Sequence, residues 1–270
     1  MYREDLGEYE FKPFTKKREN IMLIVEEGRR KHSLRALLEV DVTKARELIR
    51  KLKEEGRDVS FTGWLIKCVA QAVGEHRLLN AYRQGRRKIV VFKDVDIPIP
   101  VERMIDGKPV LAAYIIRRAN EKTIMEITEE IRRVQREEID ESTTVLGETL
   151  TRIEKIIIGM PLFMKRILLR LIRYRGLFKK KHMGTVGVTS VGMKGRLPGW
   201  VLTLGGATPT AIAVGGITRK PGVVDDKIMI REYLHLAVTV DHDIVDGAPL
   251  ARFADRLVEL LEDAYGLTTL

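Results

Sequence analysis

Two spacings of apolar residues alternate along the chain. In residues 94–101 (DVDIPIPV), Val95, Ile97, Ile99 and Val101 alternate with Asp94, Asp96, Pro98 and Pro100. A period of two marks a strand. Proline cannot donate to a ladder, so this strand is expected at an edge or a bulge. Residues 34–42, 88–92 and 110–116 are further strand candidates, and Asp106-Gly107 marks the turn before the last of them. Helical spacing appears after Thr43, the expected cap, with Ala45, Leu48, Ile49 and Leu52 on one face and Gly56 closing it. Ser60 is expected to cap FTGWLIKCVAQAVGEH, which is apolar nearly all round and therefore deeply buried. The stretch around Asn80 and Tyr82 reads as a turn after that helix. Residues 120–138 form a charged amphipathic helix with Ile124, Ile127, Ile131 and Val134 inward. Near the start, residues 1–14 read as an arm. Thr15 then caps a first helix whose apolar face holds Met22, Ile24 and Val25.

The second half is strand-rich. Residues 184–192 (GTVGVTSVG) are small and β-branched, residues 195–206 read as a loop, and 223–227 as a hairpin tip. Gly215-Gly216, a pair common in turns, interrupts the apolar run 209–217. A last apolar run, 234–240, stops abruptly at Asp241-His242-Asp243. Asp246-Gly247 follows, and Pro249 opens a helix to 265 that buries Leu250, Phe253, Ala254, Leu257, Leu260 and Leu261. Strand, polar turn, helix is the reading. The turn holds the best candidate for a general base, because an imidazole with a pKa near about 6.5 can take a proton at neutral pH. Gly247 would permit a backbone conformation closed to other residues.

Composition narrows the setting. The 270 residues suit one large domain or two small ones, with a substantial core. Cys68 is the single cysteine, so no disulfide forms within the chain, which fits a reducing, cytoplasmic setting. The first residues lack the apolar core of a signal peptide. The net charge of +10 points to acidic partners without choosing among coenzyme A, nucleic acid and anionic lipid.

The segment 140–181 stands apart. From 159 to 181 it carries eight Lys or Arg and no acid, among Leu162, Phe163, Ile167, Leu168, Leu169, Leu171 and Ile172. Pro161 suits the first turn of a helix. Three readings compete: a helical hairpin packed on its own domain or a neighbouring subunit, a basic amphipathic helix on an anionic membrane surface, and a nucleic-acid contact. The last is disfavoured, since aromatics are few and no known module is present.

DHDIVDG (241–247) resembles the D-H-R-x-x-D-G signature of the dihydrolipoamide acyltransferases, the core subunits of 2-oxoacid dehydrogenase complexes; chloramphenicol acetyltransferase shares a related H-x-x-x-D-G. Asp243 stands where that signature has Arg. TKKRENI (15–21) resembles S-x-x-R-x-x-I, and GTVGVTSVG resembles G-T-F-T-I-S-N-L-G. The stretches around Asn80 and 209–217 are also similar to family patterns. DGKPVLAAYII departs from the family's d-G-L-v-v-P-V in strands that line its substrate channel, so the resemblance does not imply the usual acceptor.

The resemblance implies an α/β fold of the chloramphenicol acetyltransferase type, a two-layer sandwich with a mixed sheet, over residues 15–270, with the helical basic insertion at about 140–181. It implies a homotrimer, or a larger assembly of trimers, with active sites between subunits. His242 would act as general base on a thiol attacking an acyl thioester of coenzyme A. Thr189 would donate to the oxyanion, with Ser190 as its neighbour on the opposite face. Asp246 would order the turn and form a buried pair with Arg18, and Gly247 would support the turn. Neither a metal nor an acyl-enzyme is implied. Because the chain begins almost at the catalytic core, no lipoyl attachment is expected, and a separate lipoyl-bearing carrier, a free thiol or another acceptor would serve instead. The competing class is a non-catalytic scaffold or coenzyme A-binding core subunit that has lost acyl transfer.

Overall fold

A computed structural model of the chain describes residues 7–105, 108–136, 144–145, 148–149, 159–192, 197–203 and 206–270. The elements run α1 (Lys16–Arg29), β1 (Ser33–Asp41), α2 (Thr43–Glu54), α3 (Phe61–Glu75), a 3-10 turn (Arg77–Asn80), β2 (Ala81–Gln84), β3 (Lys88–Val91), β4 (Ile97–Ile105), β5 (Lys108–Ile116) and α4 (Ile124–Arg136). After the short β6 (Thr144–Val145) and β7 (Glu148–Thr149) come α5 (Leu162–Ile172), α6 (Gly176–Met183), β8 (Val186–Ser190), β9 (Thr210–Val224), β10 (Lys227–Asp241) and α7 (Gly247–Glu262).

The main sheet has the order β1-β10-β9-β8. β10 is antiparallel to both neighbours, whereas β8 runs parallel to β9. This is the mixed sheet of an α/β sandwich. Helices α3, α4 and α7 carry its core: Trp64, Leu65, Ile66, Ile127, Phe253 and Leu257 are almost wholly buried with Ile212, Leu234, Leu236 and Val238 of the sheet. The residues expected inward on α4 and α7 are buried as their spacing predicts. Cys68 lies in this core, and burial pushes its thiol pKa up. Among the described residues, the proline-bearing strand, β4, pairs with β5 alone and does not join the main sheet. The expected turn at Asp106-Gly107 lies outside the described residues.

Several local expectations are corrected. Ser60 caps α3, accepting the Gly63 N–H at 3.4 Å, but Thr43 is the first residue of α2 rather than its cap. Its N–H and hydroxyl instead both donate to the Asp41 carboxylate, at 2.9 and 2.6 Å. On α1 the buried apolar residue is Leu23, and Ile24 is exposed. The 3-10 turn carries Asn80, which is buried and donates to the carbonyls of Phe92 and Asp94. Gly215 and Gly216 lie inside β9, not in a turn. A side chain on either would collide with the backbone of Gly199 or Leu197, so the glycines let residues 197–203 lie directly on the sheet. From there Trp200 donates to the Leu38 carbonyl at 2.9 Å and meets the buried His235 ring edge-on at 4.6 Å.

The insertion at 140–181 is not wholly helical: its described residues form the short β6–β7 pair and then α5 and α6, the two helices packing on their own domain. Arg166 pairs with Glu26 and Arg173 with Glu27 of α1, while Lys165 donates to Asn20. Lys180 lies 3.6 Å from Asp94 and 3.8 Å from Asp96. Lys165 is buried and Arg173, Lys179 and Lys180 are partly buried, while Arg166, Arg170, Arg175 and Lys181 are exposed alongside Phe163, Ile167 and Leu171. Among the described residues, no helix is long and apolar enough to cross a membrane.

Candidate active site

The apolar run of β10 drives its strand through the middle of the sheet, and the chain leaves at Asp241 into a tight polar turn. The Asp241 N–H donates to the Pro209 carbonyl at 2.9 Å, and the N–H groups of Ile244 and Val245 return to the Asp241 carbonyl at 3.0 Å. His242 is therefore presented at the strand's end with its ring about half exposed. Its Nδ1 lies 3.5 Å from Oδ1 of Asp246, four residues ahead, where Asp246 occupies the N-cap position of α7. Gly247 begins the helix with an ordinary negative φ and open space around it, so the turn does not need its conformational freedom.

Asp243, the departure from the acyltransferase signature, is held through both oxygens of its side chain. Its Oδ1 lies 2.8 Å from His32 Nδ1, and its Oδ2 accepts from Arg83 Nη1 at 3.0 Å. The bond to Asp243 raises the His32 pKa. The bonds from His32 and Arg83 hold Asp243 below the usual carboxylate range, against the opposing effect of partial burial. Behind the turn, Lys31 donates to the carbonyls of Gly206 and Thr208. Burial, with help from the positive charge of Lys179, pushes its pKa down to about 8. A small cavity of about 80 Å³ opens between Lys31, Lys179, Arg173, Tyr82, Asp241 and Asp243.

Thr189 and Ser190 end β8. Val186 and Val188 point into the core, so by alternation Ser190 shares their side and Thr189 faces away from it. Among the described residues, the buried Ser190 hydroxyl has no hydrogen-bond partner. A larger cavity of about 580 Å³ lies just beyond, lined by Phe61, Gly192, Val214, Gly216 and Leu234 among others. His242 lines neither cavity.

The expected site residues do not converge within one chain. Val240 is level with Thr210 and Val186, whereas Thr189 is level with Ala213 and Ala237. Val240 is thus already about 10 Å along the strand direction from the level of Thr189, and His242 lies beyond it, two strands away. The buried Arg18–Asp246 pair is not formed either: Asp246 is 84 % exposed, Arg18 lies on the exposed side of α1, and among the described residues no ion pair joins them. Arg18 instead contributes its backbone N–H to the Thr15 hydroxyl at 3.4 Å. The contacts of Asp243 with His32, Arg83 and the cavity residues were not foreseen. The one available signal was the acid itself, since a carboxylate in place of a cation requires a new cationic partner.

This fold, a mixed four-stranded sheet with a His-bearing turn leading into its last helix, is that of the acyltransferase catalytic cores. It superposes on a probable dihydrolipoamide acetyltransferase from Listeria monocytogenes with a TM-score of 0.68 at 23 % identity, covering 96 % of this chain and 97 % of that one. With the cubic core of a pyruvate dehydrogenase multienzyme complex the TM-score is 0.67 at 18 % identity, covering 98 % and 96 %. The sequence pattern of the 2-oxoacid dehydrogenases acyltransferase (catalytic domain) family matches residues 7–146 and 181–269, and the chain belongs to that family. The match is interrupted across the segment that forms α5 and most of α6. In Bacillus subtilis, the lipoamide acyltransferase component of the branched-chain alpha-keto acid dehydrogenase complex is 25 % identical over 233 residues, 84 % of this chain and 46 % of that protein. The dihydrolipoyllysine-residue acetyltransferase component of the pyruvate dehydrogenase complex of Corynebacterium glutamicum is 24 % identical over 243 residues, 86 % of this chain and 30 % of that protein. The chain therefore spans less than half the length of these two relatives.

Proposed function

We propose that this chain transfers an acyl group between coenzyme A and a thiol of the dihydrolipoyl type, in active sites completed by a neighbouring copy of itself in a homotrimer. One observation carries the reading. His242 and Thr189 are too far apart within a chain to meet on one substrate, yet Thr189 faces away from the core and the His242 ring is half exposed. A second copy that brings its Thr189 to this His242 supplies what one chain lacks. Val223, Ile228 and Ile230, exposed along the long β9–β10 hairpin, offer the kind of apolar surface that assembly covers.

The chemistry follows from the groups. A thiol with a pKa near about 8.5 is mostly protonated at pH 7. His242 takes its proton as the sulfur adds to the thioester carbonyl. Thr189 of the second copy donates to the oxyanion, which can be worth about 3–4 kcal/mol in the transition state. Collapse expels the coenzyme A thiolate, and the imidazolium returns the proton to it. Asp246 stabilises the imidazolium from 3.5 Å. A separate lipoyl-bearing protein or a small thiol serves as acceptor. The ion pairs of Arg166, Arg173 and Lys180 with acids elsewhere in the same chain favour a packed insertion over a membrane-bound one.

The test is release of free coenzyme A from acetyl-coenzyme A, and from longer acyl analogues, with dihydrolipoamide as acceptor, alongside sedimentation velocity. Acceptor-dependent release by a trimer that disappears in His242→Ala is expected. Undiminished turnover in His242→Ala would overturn the assignment. The scaffold reading draws on Asp243 replacing the signature Arg, and calorimetry with coenzyme A decides whether binding persists without turnover.

A further inference from the structure

We propose that the segment 159–183 braces the His242 turn through Tyr174, Arg83 and Asp243, which makes Arg83 and Tyr174 positioning residues for acyl transfer. The proposal rests on the reading of His242 as the base.

The turn is pinned twice to one residue. The His242 N–H donates to the His32 carbonyl at 2.7 Å, and the neighbouring Asp243 carboxylate meets the His32 ring at 2.8 Å. The other oxygen of Asp243 is held by Arg83 at 3.0 Å. His32 and Arg83 together offset a concentration of negative charge, since Asp241 and Asp246 flank the same turn. Arg83 is held in its turn. Its guanidinium carbon stands 4.6 Å from the ring centre of Tyr174, in the connection between α5 and α6. A guanidinium stacked on an aromatic face loses much of its freedom and is better aimed at a carboxylate.

Tyr174 is itself fixed by backbone. Its carbonyl accepts the Gly85 N–H at 2.7 Å, and the Leu177 N–H donates to Gln84 Oε1 at 3.3 Å. Gly176 is buried against the β2–β3 hairpin so closely that a Cβ would lie 2.7 Å from Tyr82 Cβ and 2.8 Å from Val90 Cγ1. The segment is therefore seated on the strand that carries Arg83. Two departures from the family pattern, the inserted helices and the acid at 243, meet in one chain of contacts that ends beside the catalytic imidazole.

The experiment uses the full chain with ring-¹³C-labelled histidine, which gives five assignable residues, together with coenzyme A release. Tyr174→Ala and Arg83→Gln are expected to shift the His242 ring resonance and to lower kcat about tenfold with KM little changed, as small misplacements of a base do. Tyr174→Phe, which keeps the aromatic face, is expected to restore both. A His242 resonance and kcat unchanged in Tyr174→Ala and Arg83→Gln, with His242→Ala inactive, would overturn the brace alone. If His242→Ala keeps its turnover, the general-base reading fails. The brace is then judged by the resonance, which must move in both variants for the coupling to stand.

Discussion

His242 faces Asp246 across the turn that precedes α7, with Nδ1 and Oδ1 3.5 Å apart, and both side chains stand open to solvent in the isolated chain. A base placed this way is oriented on one side by the carboxylate at the N-cap of the next helix and left free on the other for a substrate. Replacing it tests the chemistry without touching the core. His242→Ala is expected to lower kcat by about 10²–10⁴-fold while sedimentation velocity shows the assembly unchanged. Asp246→Asn should cost less, because it removes a charge beside the imidazolium but keeps an oxygen near Nδ1.

The His32–Asp243 pair makes a pH prediction. The raised His32 pKa contributes stability that is complete below the ordinary imidazole value near 6.5 and is lost as pH rises through the raised folded value. The lowered Asp243 pKa contributes stability that is present above the ordinary value of 3.8 and is lost as pH falls through its lower folded value. The pair therefore acts most fully between about pH 4 and 6.5. Urea midpoints across pH 3–8 should show a plateau there that Asp243→Asn flattens. An identical profile in Asp243→Asn would show that the contact contributes nothing measurable.

Phe253 on α7 is wholly buried in the core between helices and sheet. Phe253→Ala is expected to destabilise the chain by about 3–5 kcal/mol through lost burial and a residual cavity. The measurement is the shift of the urea midpoint at constant slope.

Gly216→Ala places a methyl group into the backbone of Leu197. The expected outcome is displacement of residues 197–203 from β9, destabilisation of about 1–3 kcal/mol and faster proteolysis in that segment. Loss of the Trp200–His235 contact would appear as a change in tryptophan emission. Unchanged emission and cleavage would mean that the segment does not lie on the sheet.

What could be read from the chain depended on the range of the interaction. The inward faces of α4 and α7 repeat an apolar residue every third or fourth position, so Ile127, Ile131, Phe253 and Leu257 announce themselves within one helix. The role of Gly215-Gly216 was illegible, because what forbids a side chain there is the backbone of residues 197–199, some 17 positions away. The cap of α2 was misread for a smaller reason. Thr43 stands one position inside the helix, where its hydroxyl donates to Asp41 and accepts the distant Glu232 N–H instead of a first-turn N–H.

The amino-acid order by itself determined the class of fold and the identity of the His-bearing turn, because strand and helix periodicity, cap residues and a contiguous signature are local properties of the chain. Only the tertiary structure decided what surrounds that turn. His32, Arg83, Tyr174 and Asp243 span more than 200 positions of sequence, and a charge finds its partner by proximity in space, which no local pattern records. The same holds for the separation of His242 from Thr189, which follows from strand order and register in the folded sheet.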